Sequence, residues 1–334
     1  MVDFPQVGGQ DSGMYEVVIV GGGPAGLSAA LVLGRARRRV VVCDAGRPRN
    51  AASGGVHGFL TRDGIPPAEL RRLGIEEIVR YGVEFREVQV VDVRCLEHHL
   101  EVRLADGSLL AARKVLLATG IRDHLPEIEG FAACYGRSVH HCPYCDGWEW
   151  RDQSLAAYGT AGEASGLAMS LLNWSRDVAV CTNGDTDFSR RRRRELNRLK
   201  IPVRAEPIVR LEGRDGWLER IVFAEGPPLE RKALFFNTGQ GQRADLAERL
   251  GCRFDQKGHV CTDRRGRTGV KGLFLAGDAS GEVQFVAVAV AQGATAAVAI
   301  NGELQEEDRG ERGSAAEHAM KARGEIAVEV ERES

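Results

Sequence analysis

Apolar residues in this chain fall into short unbroken runs that end at glycines, not into long amphipathic stripes. Glu16-Val17-Val18-Ile19-Val20 is the first such run. Continuous in apolar residues, it reads as a strand buried on both faces, as in a parallel sheet. It leads into Gly21-Gly22-Gly23-Pro24-Ala25-Gly26, and the Ala/Leu-rich segment that follows reads as a helix to Leu33. Val40-Val41-Val42-Cys43 is a second buried strand, closed by Asp44. From Phe85 to Ala118 the pattern changes. Leu100, Val102 and Leu104 alternate with charge, Asp106-Gly107 makes a hairpin turn, and Lys114 to Ala118 is another buried strand ending in Thr119-Gly120.

The middle of the chain repeats the first plan. Ser154 to Tyr158 reads as a strand, Gly159 to Ala164 as the turn, Leu167 to Trp174 as the helix, and Asp177 to Cys181 as the next strand. Duplication of one supersecondary unit explains two such runs. Asp123-His124-Leu125-Pro126 reads as the crossing between them. Late in the chain, Gly272 to Asp278 is a buried strand ending on an exposed acid, followed by an Ala/Val-rich helix from Val283 to Ile300 beginning near Gln284. Residues 1–14 form a loose leader, and Arg309 to Ser334 an exposed tail or peripheral helix.

Gly21, Gly23 and Gly26 fit the G-x-G-x-x-G frame. One glycine turns the chain, one admits a pyrophosphate, and one lets helix and strand pack closely. The helix then points its positive end at the phosphates. Asp44 stands where a carboxylate accepts from ribose hydroxyls. Strand, helix, second strand and acid in register make this a dinucleotide-binding βαβ unit. The second copy is degraded: Ala161 and Ala164 replace the second and third glycines, and Asp185 is the nearest acid, displaced into a loop.

A different chemistry sits between the copies, in His141-Cys142-Pro143-Tyr144-Cys145-Asp146-Gly147. Two cysteines separated by two residues close a small disulfide ring or open into a dithiol in which one sulfur titrates low. A zinc site would need two further ligands at metal spacing, and no second such pair exists. The pair reads as redox-active, with no metal. Asp146 reads as a general acid or as a helix-capping acid. His140 and His141 read as surface residues, although either could lower a thiol pKa or shuttle protons.

Composition narrows the setting. A length of 334 residues suits about two domains, and a net charge of −2 offers no global attraction to nucleic acid or anionic lipid. Only one pair among the eight cysteines is close in sequence, which suits a reducing compartment. The acidic leader does not read as a signal peptide, and no apolar run approaches a membrane span. The expected location is cytoplasmic.

Taken together, Gly21 to Gly26, Leu117-Ala118-Thr119-Gly120, Cys142 to Gly147, and Ala276-Gly277-Asp278 with Gln284 resemble the low-molecular-weight thioredoxin reductase family of FAD-dependent pyridine nucleotide-disulfide oxidoreductases. The resemblance covers about residues 15 to 305. It implies an α/β fold of two Rossmann-like domains of the three-layer ββα type. The FAD domain would be discontinuous, 15–123 and 244–305, around a pyridine-nucleotide-type domain at 124–243 that carries the cysteines. The leader at 1–14 and a charged tail at 306–334 flank them. Gly21, Gly23, Pro24, Ala25, Gly26 and Asp44 would hold the adenosine half of FAD, with Thr119 and Gly120 lining the same site. Gly277 and Asp278 would meet the ribityl and pyrophosphate side, and Gln284 and Phe285 the flavin ring. Asn50 and His57 would lie in a loop covering the flavin. Cys145 would be flavin-proximal, Cys142 the exchanging sulfur, and Asp146 the general acid. A homodimer is also implied.

The chain departs from the family in the middle domain. NADPH-using members carry an intact glycine frame there and a His-Arg-Arg cluster that grips the 2′-phosphate. Here Thr182-Asn183-Gly184 occupies that position. The five arginines Arg190 to Arg194 could rescue that contact, dock an acidic partner, or form a solvated helix face. Three functions stay open. The first is a FAD-dependent thiol–disulfide oxidoreductase not reliant on NADPH, like the gliotoxin-type dithiol oxidases or the ferredoxin-linked enzymes. The second is an NAD(P)H-dependent reductase of thioredoxin-like proteins. The third is a flavin-binding redox sensor without turnover.

Overall fold

The structure, a computed structural model, describes residues 13–281 and 283–332, with side chains through residue 310. Residues 1–12 of the expected leader, and the side chains of the C-terminal stretch beyond 310, lie outside the described residues. The first sheet grows from β1 (Tyr15–Val20), which runs through three glycines into α1 (Pro24–Arg35) and returns as β2 (Val40–Cys43), parallel to β1. After α2 (Pro67–Val79), β3 (Glu84–Arg86) adds beside β2. β4 (Val90–Cys95), β5 (Leu100–Leu104) and β6 (Leu109–Leu117) follow as an antiparallel meander. The start of β6 pairs with β5, and from Ala112 onward β6 lies parallel to β1. The hairpin strand and the buried strand that the sequence pattern separates are therefore one nine-residue element.

The chain crosses on β7 (Ile121–Asp123) into a second unit. There α3 (Phe131–Cys134), β8 (Val139–His140) and α4 (Pro143–Asp146) precede β9 (Leu155–Gly159), α5 (Ala161–Leu171) and β10 (Val178–Cys181). Then come α6 (Arg190–Arg198), β11 (Val203–Arg204), and an antiparallel trio of β12 (Ile208–Arg214), β13 (Trp217–Phe223) and β14 (Leu229–Glu230). β15 (Ala233–Asn237) completes a parallel sheet in the order β11-β10-β9-β15-β8. β16 (Gln240–Gln242) carries the chain back and pairs antiparallel with β7, so both crossings form one ribbon with Asp123 opposite Gln240. α7 (Leu246–Arg249) and β17 (Leu273–Leu275) follow. β17 lies beside β6, and α8 (Val286–Arg332) ends the described chain.

Two details differ from the sequence pattern. α5 starts at Ala161, within the expected turn, because Thr160 and Glu163 form a capping box at its N-terminus. Residues 286–310 of α8 also have the length and hydropathy (1.2) of a membrane span, contrary to the reading that no run comes near one. In this fold Ala296, Ala297, Ile300 and Leu304 of that stretch are buried in the core shared with α1.

α1 and α8 approach so closely that a Cβ at Gly293 would collide with the carbonyl oxygen of Ala25. Ser28 Oγ donates to the Val290 carbonyl at 2.8 Å across the same contact. Further along α8, ion pairs clasp the helix to the sheet. The buried Lys114 reaches Glu303 at 3.0 Å and Glu307 at 2.7 Å, Arg113 reaches Asp308 at 2.7 Å, and Arg38 reaches Asp308 at 2.8 Å. Because Ala25 sits in the first turn of α1, the α8 contact also sets the height of the glycine loop. Gly293→Ala should destabilise the flavin-loaded protein by about 1–3 kcal/mol through overpacking, despite alanine's better helix propensity. Denaturant unfolding of both proteins measures this, and an unchanged midpoint would show that the helices part without cost.

Candidate active site

At the head of α1, Gly21 has φ +110° and Gly26 packs so tightly on Gly21 that a Cβ would strike its carbonyl. Gly23, by contrast, has open space where a Cβ would stand. Pro24 occupies the first turn, so the free N–H groups of the helix point into a cavity of about 480 Å³. Asp44, at the end of β2, accepts from the N–H groups of Gly22 and Gly46, both at 2.5 Å. Beside it Arg71 Nη2 stands 3.8 Å from the Asp44 carboxylate. Arg71 Nε and Nη2 are buried and have no hydrogen-bond partner among the described residues. An open cradle at a helix N-terminus, a held ribose-type acid and, beside it, two buried guanidinium nitrogens without a hydrogen bond fit the adenosine diphosphate half of FAD.

Thirteen of the fourteen expected cofactor residues line this one cavity. Gly21, Gly23, Pro24, Ala25 and Asp44 stand at one end, and Asn50, His57, Thr119, Gly120, Gly277, Asp278, Gln284 and Phe285 continue the wall. Gly26 is the exception, serving only the helix–strand contact. Asp278, expected to be exposed, is mostly covered; burial pushes its carboxyl pKa up against the opposing charge of Arg49.

Cys142 and Cys145 form a disulfide with their Cα atoms 5.3 Å apart. Cys142, not Asp146, caps α4, and its Sγ accepts from the Cys145 N–H at 3.1 Å. Cys145 lines the cavity and Cys142 does not. Asp146 also lines it and turns its carboxylate toward His140 Nδ1, 3.3 Å away. The two histidines are not surface residues. His140 is only 5% exposed, and its Nε2 accepts from Trp150 Nε1–H at 2.9 Å. His141 is partly buried on the cavity wall; burial first, then the Arg49 charge, lower its pKa to about 4.

A cluster that sequence reasoning missed joins the domains. Arg49 donates to both oxygens of Asp123, at 2.8 and 2.6 Å. Tyr135 Oη–H and Gln240 Nε2 donate to the same carboxylate at 2.6 and 2.9 Å. Burial alone would raise the pKa of Asp123, but the Arg49 hydrogen bonds, the nearby His141 and the Tyr135 hydroxyl outweigh it and hold the group well below the carboxylate range. Arg49 also reaches Gln284 at 2.8 Å and Asp278 at 3.2 Å. In the sequence the only signal was the crossing at Asp123; Arg49 lies in a loop with no pattern of its own.

The second βαβ copy is built differently. The Ala161 N–H, at the head of α5, donates to Asp185 Oδ2 at 2.8 Å. Glu163 folds back to accept from the Thr160 N–H at 3.2 Å and its hydroxyl at 2.8 Å. Hydrogen bonds from the N–H groups of Ala161 and Asp187 hold the Asp185 carboxyl below its usual range. Asn183 accepts from the Ile208 N–H at 2.7 Å. In the arginine run, Arg192 pairs with Glu195 at 2.9 Å and Arg193 donates to the Thr186 carbonyl at 2.9 Å, while Arg190, Arg191 and Arg194 are exposed.

Known proteins agree with this geometry. Residues 15–293 match the family described as pyridine nucleotide-disulphide oxidoreductases. A probable thioredoxin reductase of Arthroderma benhamiae is 31% identical over 327 residues, spanning 88% of this chain and 81% of that protein. Thioredoxin reductase aclD of Aspergillus oryzae is 29% identical, spanning 87% and 96%. The crystal structure of HlmI superposes with a TM-score of 0.88 at 37% identity, over 93% of this chain and 98% of that one. That of a putative thioredoxin reductase, TrxB, from Bacillus anthracis gives 0.83 at 36% identity, over 88% and 99%. With its FAD cradle and its Cys142–Cys145 pair, the chain belongs to the pyridine nucleotide-disulphide oxidoreductases as a thioredoxin reductase-like, FAD-dependent enzyme.

Proposed function

We propose that this enzyme oxidises dithiols through its FAD, with dioxygen as final acceptor, and does not draw on NAD(P)H. The observation that carries the reading is the closed N-terminus of α5, where Asp185 and Glu163 occupy the donors that a nucleotide pyrophosphate would need. A pyrophosphate there would displace both carboxylates and remain near their charge. Thr182-Asn183-Gly184 offers no guanidinium to compensate.

In the forward direction a substrate thiolate attacks Cys142 Sγ, the Cys142–Cys145 bond breaks, and Cys145 leaves as a thiolate. The second substrate thiolate then attacks the substrate sulfur of the mixed disulfide and expels Cys142, so the substrate departs as a disulfide and two electrons rest on the cysteine pair. Bound FAD supplies a two-electron acceptor that dioxygen reoxidises to give hydrogen peroxide. The Cys145 N–H steadies the Cys142 thiolate. His141, its pKa lowered to about 4, stays neutral through ordinary working pH and adds no positive charge beside the pair.

The names of the relatives favour a second reading, NAD(P)H-driven reduction of a thioredoxin-like protein. Anaerobic titration of the holoenzyme with NADPH, NADH and dithiothreitol, followed by flavin absorbance, separates the two. We expect bleaching by the dithiol alone, reversed by air. Rapid bleaching by NADPH or NADH would overturn the proposal, and bleaching only by a reduced ferredoxin would replace it with a protein-donor relay. A homodimer belongs to this reading and is tested by light scattering.

Two further outcomes follow. Asp185→Ala combined with Glu163→Gln removes both negative charges from the head of α5, so calorimetry should show NADPH affinity rising by about 10-fold or more; no gain would remove the charges as the cause. The lowered pKa of His141 favours its neutral form in the fold. Its contribution to stability is therefore present above pH 6.5 and lost as pH falls toward about 4. An unfolding free energy that does not change between pH 4 and 6.5 would show His141 to be unperturbed. His141→Asn should flatten the pH dependence of unfolding across that window.

A further inference from the structure

We propose that Trp150 is a positioning residue. It sets the tautomer of His140, and so turns the Nδ1–H of that ring toward Asp146, beside Cys145. The inference needs only exchange between the cysteine pair and the flavin and is independent of where the electrons come from.

An indole N–H can only donate. Since Trp150 Nε1–H points at His140 Nε2 from 2.9 Å, that nitrogen carries a lone pair. The proton of a neutral ring must then sit on Nδ1, and Nδ1 faces Asp146 Oδ1 at 3.3 Å. The ring has little freedom to escape this arrangement. His140 is fixed in β8 opposite Phe235 of β15, its ring lies 5.4 Å from the Phe235 ring, and Trp150 is backed by Trp217 at 5.9 Å. Charged groups are few around it. Asp146 approaches from α4, His141 is next in the chain but faces Asp123 and Arg49, and the β15 and β13 sides present Phe235 and Trp217. The neighbouring Glu149 is turned away, toward His57 at 3.6 Å.

The chemical consequence falls on Asp146. His140 Nδ1–H, 3.3 Å from one carboxylate oxygen, orients Asp146, which lines the same cavity as Cys145. Where Cys145, once expelled as a thiolate, has taken up a proton, breaking its S–H bond leaves the electron pair on sulfur and passes the proton to the Asp146 carboxylate. Without the indole, Nε2 would be free to bind a proton. A ring protonated there alone would turn a lone pair toward the carboxylate. Uptake of a further proton, giving an imidazolium, relieves that conflict.

The test uses the flavin-loaded full chain labelled with 15N-histidine, with His140→Asn assigning the signal. Long-range 15N–1H correlation of the wild type should show His140 as the Nδ1–H tautomer. In Trp150→Phe the same signal should become the imidazolium or the Nε2–H form near neutral pH. The rate of flavin reduction by dithiothreitol should fall about 10-fold and acquire an added ionisation between about pH 6 and 8. An Nε2–H tautomer in the wild type would overturn the proposal. So would a Trp150→Phe protein of normal flavin content with an unchanged pH profile, since a purely packing role would leave that profile in place. If Trp150→Phe does not fold, the wild-type tautomer decides the matter alone.

Discussion

The buried pairing of Arg49 with Asp123 is the interaction on which the working geometry rests. Asp123 ends the outward crossing strand, Gln240 begins the return strand opposite it, and Tyr135 reaches in from the cysteine-bearing unit. Arg49 comes from the loop beyond the first βαβ unit and extends to Gln284 and Asp278. One carboxylate thus gathers donors from both domains and from the ribbon between them. Breaking such a pair by removing one partner costs about 3–5 kcal/mol, because the other charge stays buried and unpaired. The Arg49 charge also adds to the burial that keeps His141 neutral, against the opposing pull of Asp123. Domain register and proton chemistry are therefore coupled through a single guanidinium.

The two βαβ units show how one plan yields a binding site and a closed copy. At α1 the helix head is left bare. Gly23 has nothing above it, and the nearest acid, Asp44, is drawn aside by two backbone N–H groups. At α5 the equivalent donors are taken from within, by a capping box and by Asp185. A capping box stabilises its helix by about 1 kcal/mol. That gain is available only when no ligand has to bind there, so in each unit the choice between cap and cradle is also a choice about ligand.

The α/β architecture and a glycine-rich part of the cavity wall were legible in the sequence, because unbroken apolar runs and glycine frames are local signals. β6 was read as two elements because its pairing changes from antiparallel to parallel within one continuous strand, and periodicity does not record a partner. The start of α5 was missed for the opposite reason. Glu163 was counted within a glycine-bearing turn, whereas its distance of three residues from Thr160 is a cap signature. The Arg49 cluster was not legible, since its members lie at positions 49, 123, 135, 240 and 284 and only folding brings them together. His140 and His141 were misplaced because two adjacent polar residues read as exposed, and nothing local announces a tryptophan ten residues on that faces one of them.

That adjacency explains why the two histidines differ. Consecutive residues on extended backbone point to opposite sides, so His140 is sent into the aromatic packing under β15 while His141 is sent to the domain boundary. One ring is tied by a hydrogen bond from an indole; the other is discharged by burial and a neighbouring cation. With His141 neutral, it supplies no positive charge to steady a thiolate at Cys142. That task falls to the Cys145 N–H, a weaker and less pH-sensitive source than an imidazolium. A thiolate stabilised this way keeps more of its nucleophilicity than one pulled to very low pKa, because nucleophilicity falls as pKa falls. Such a sulfur suits repeated exchange with a dithiol substrate, and the chain builds it by leaving the neighbouring His141 neutral.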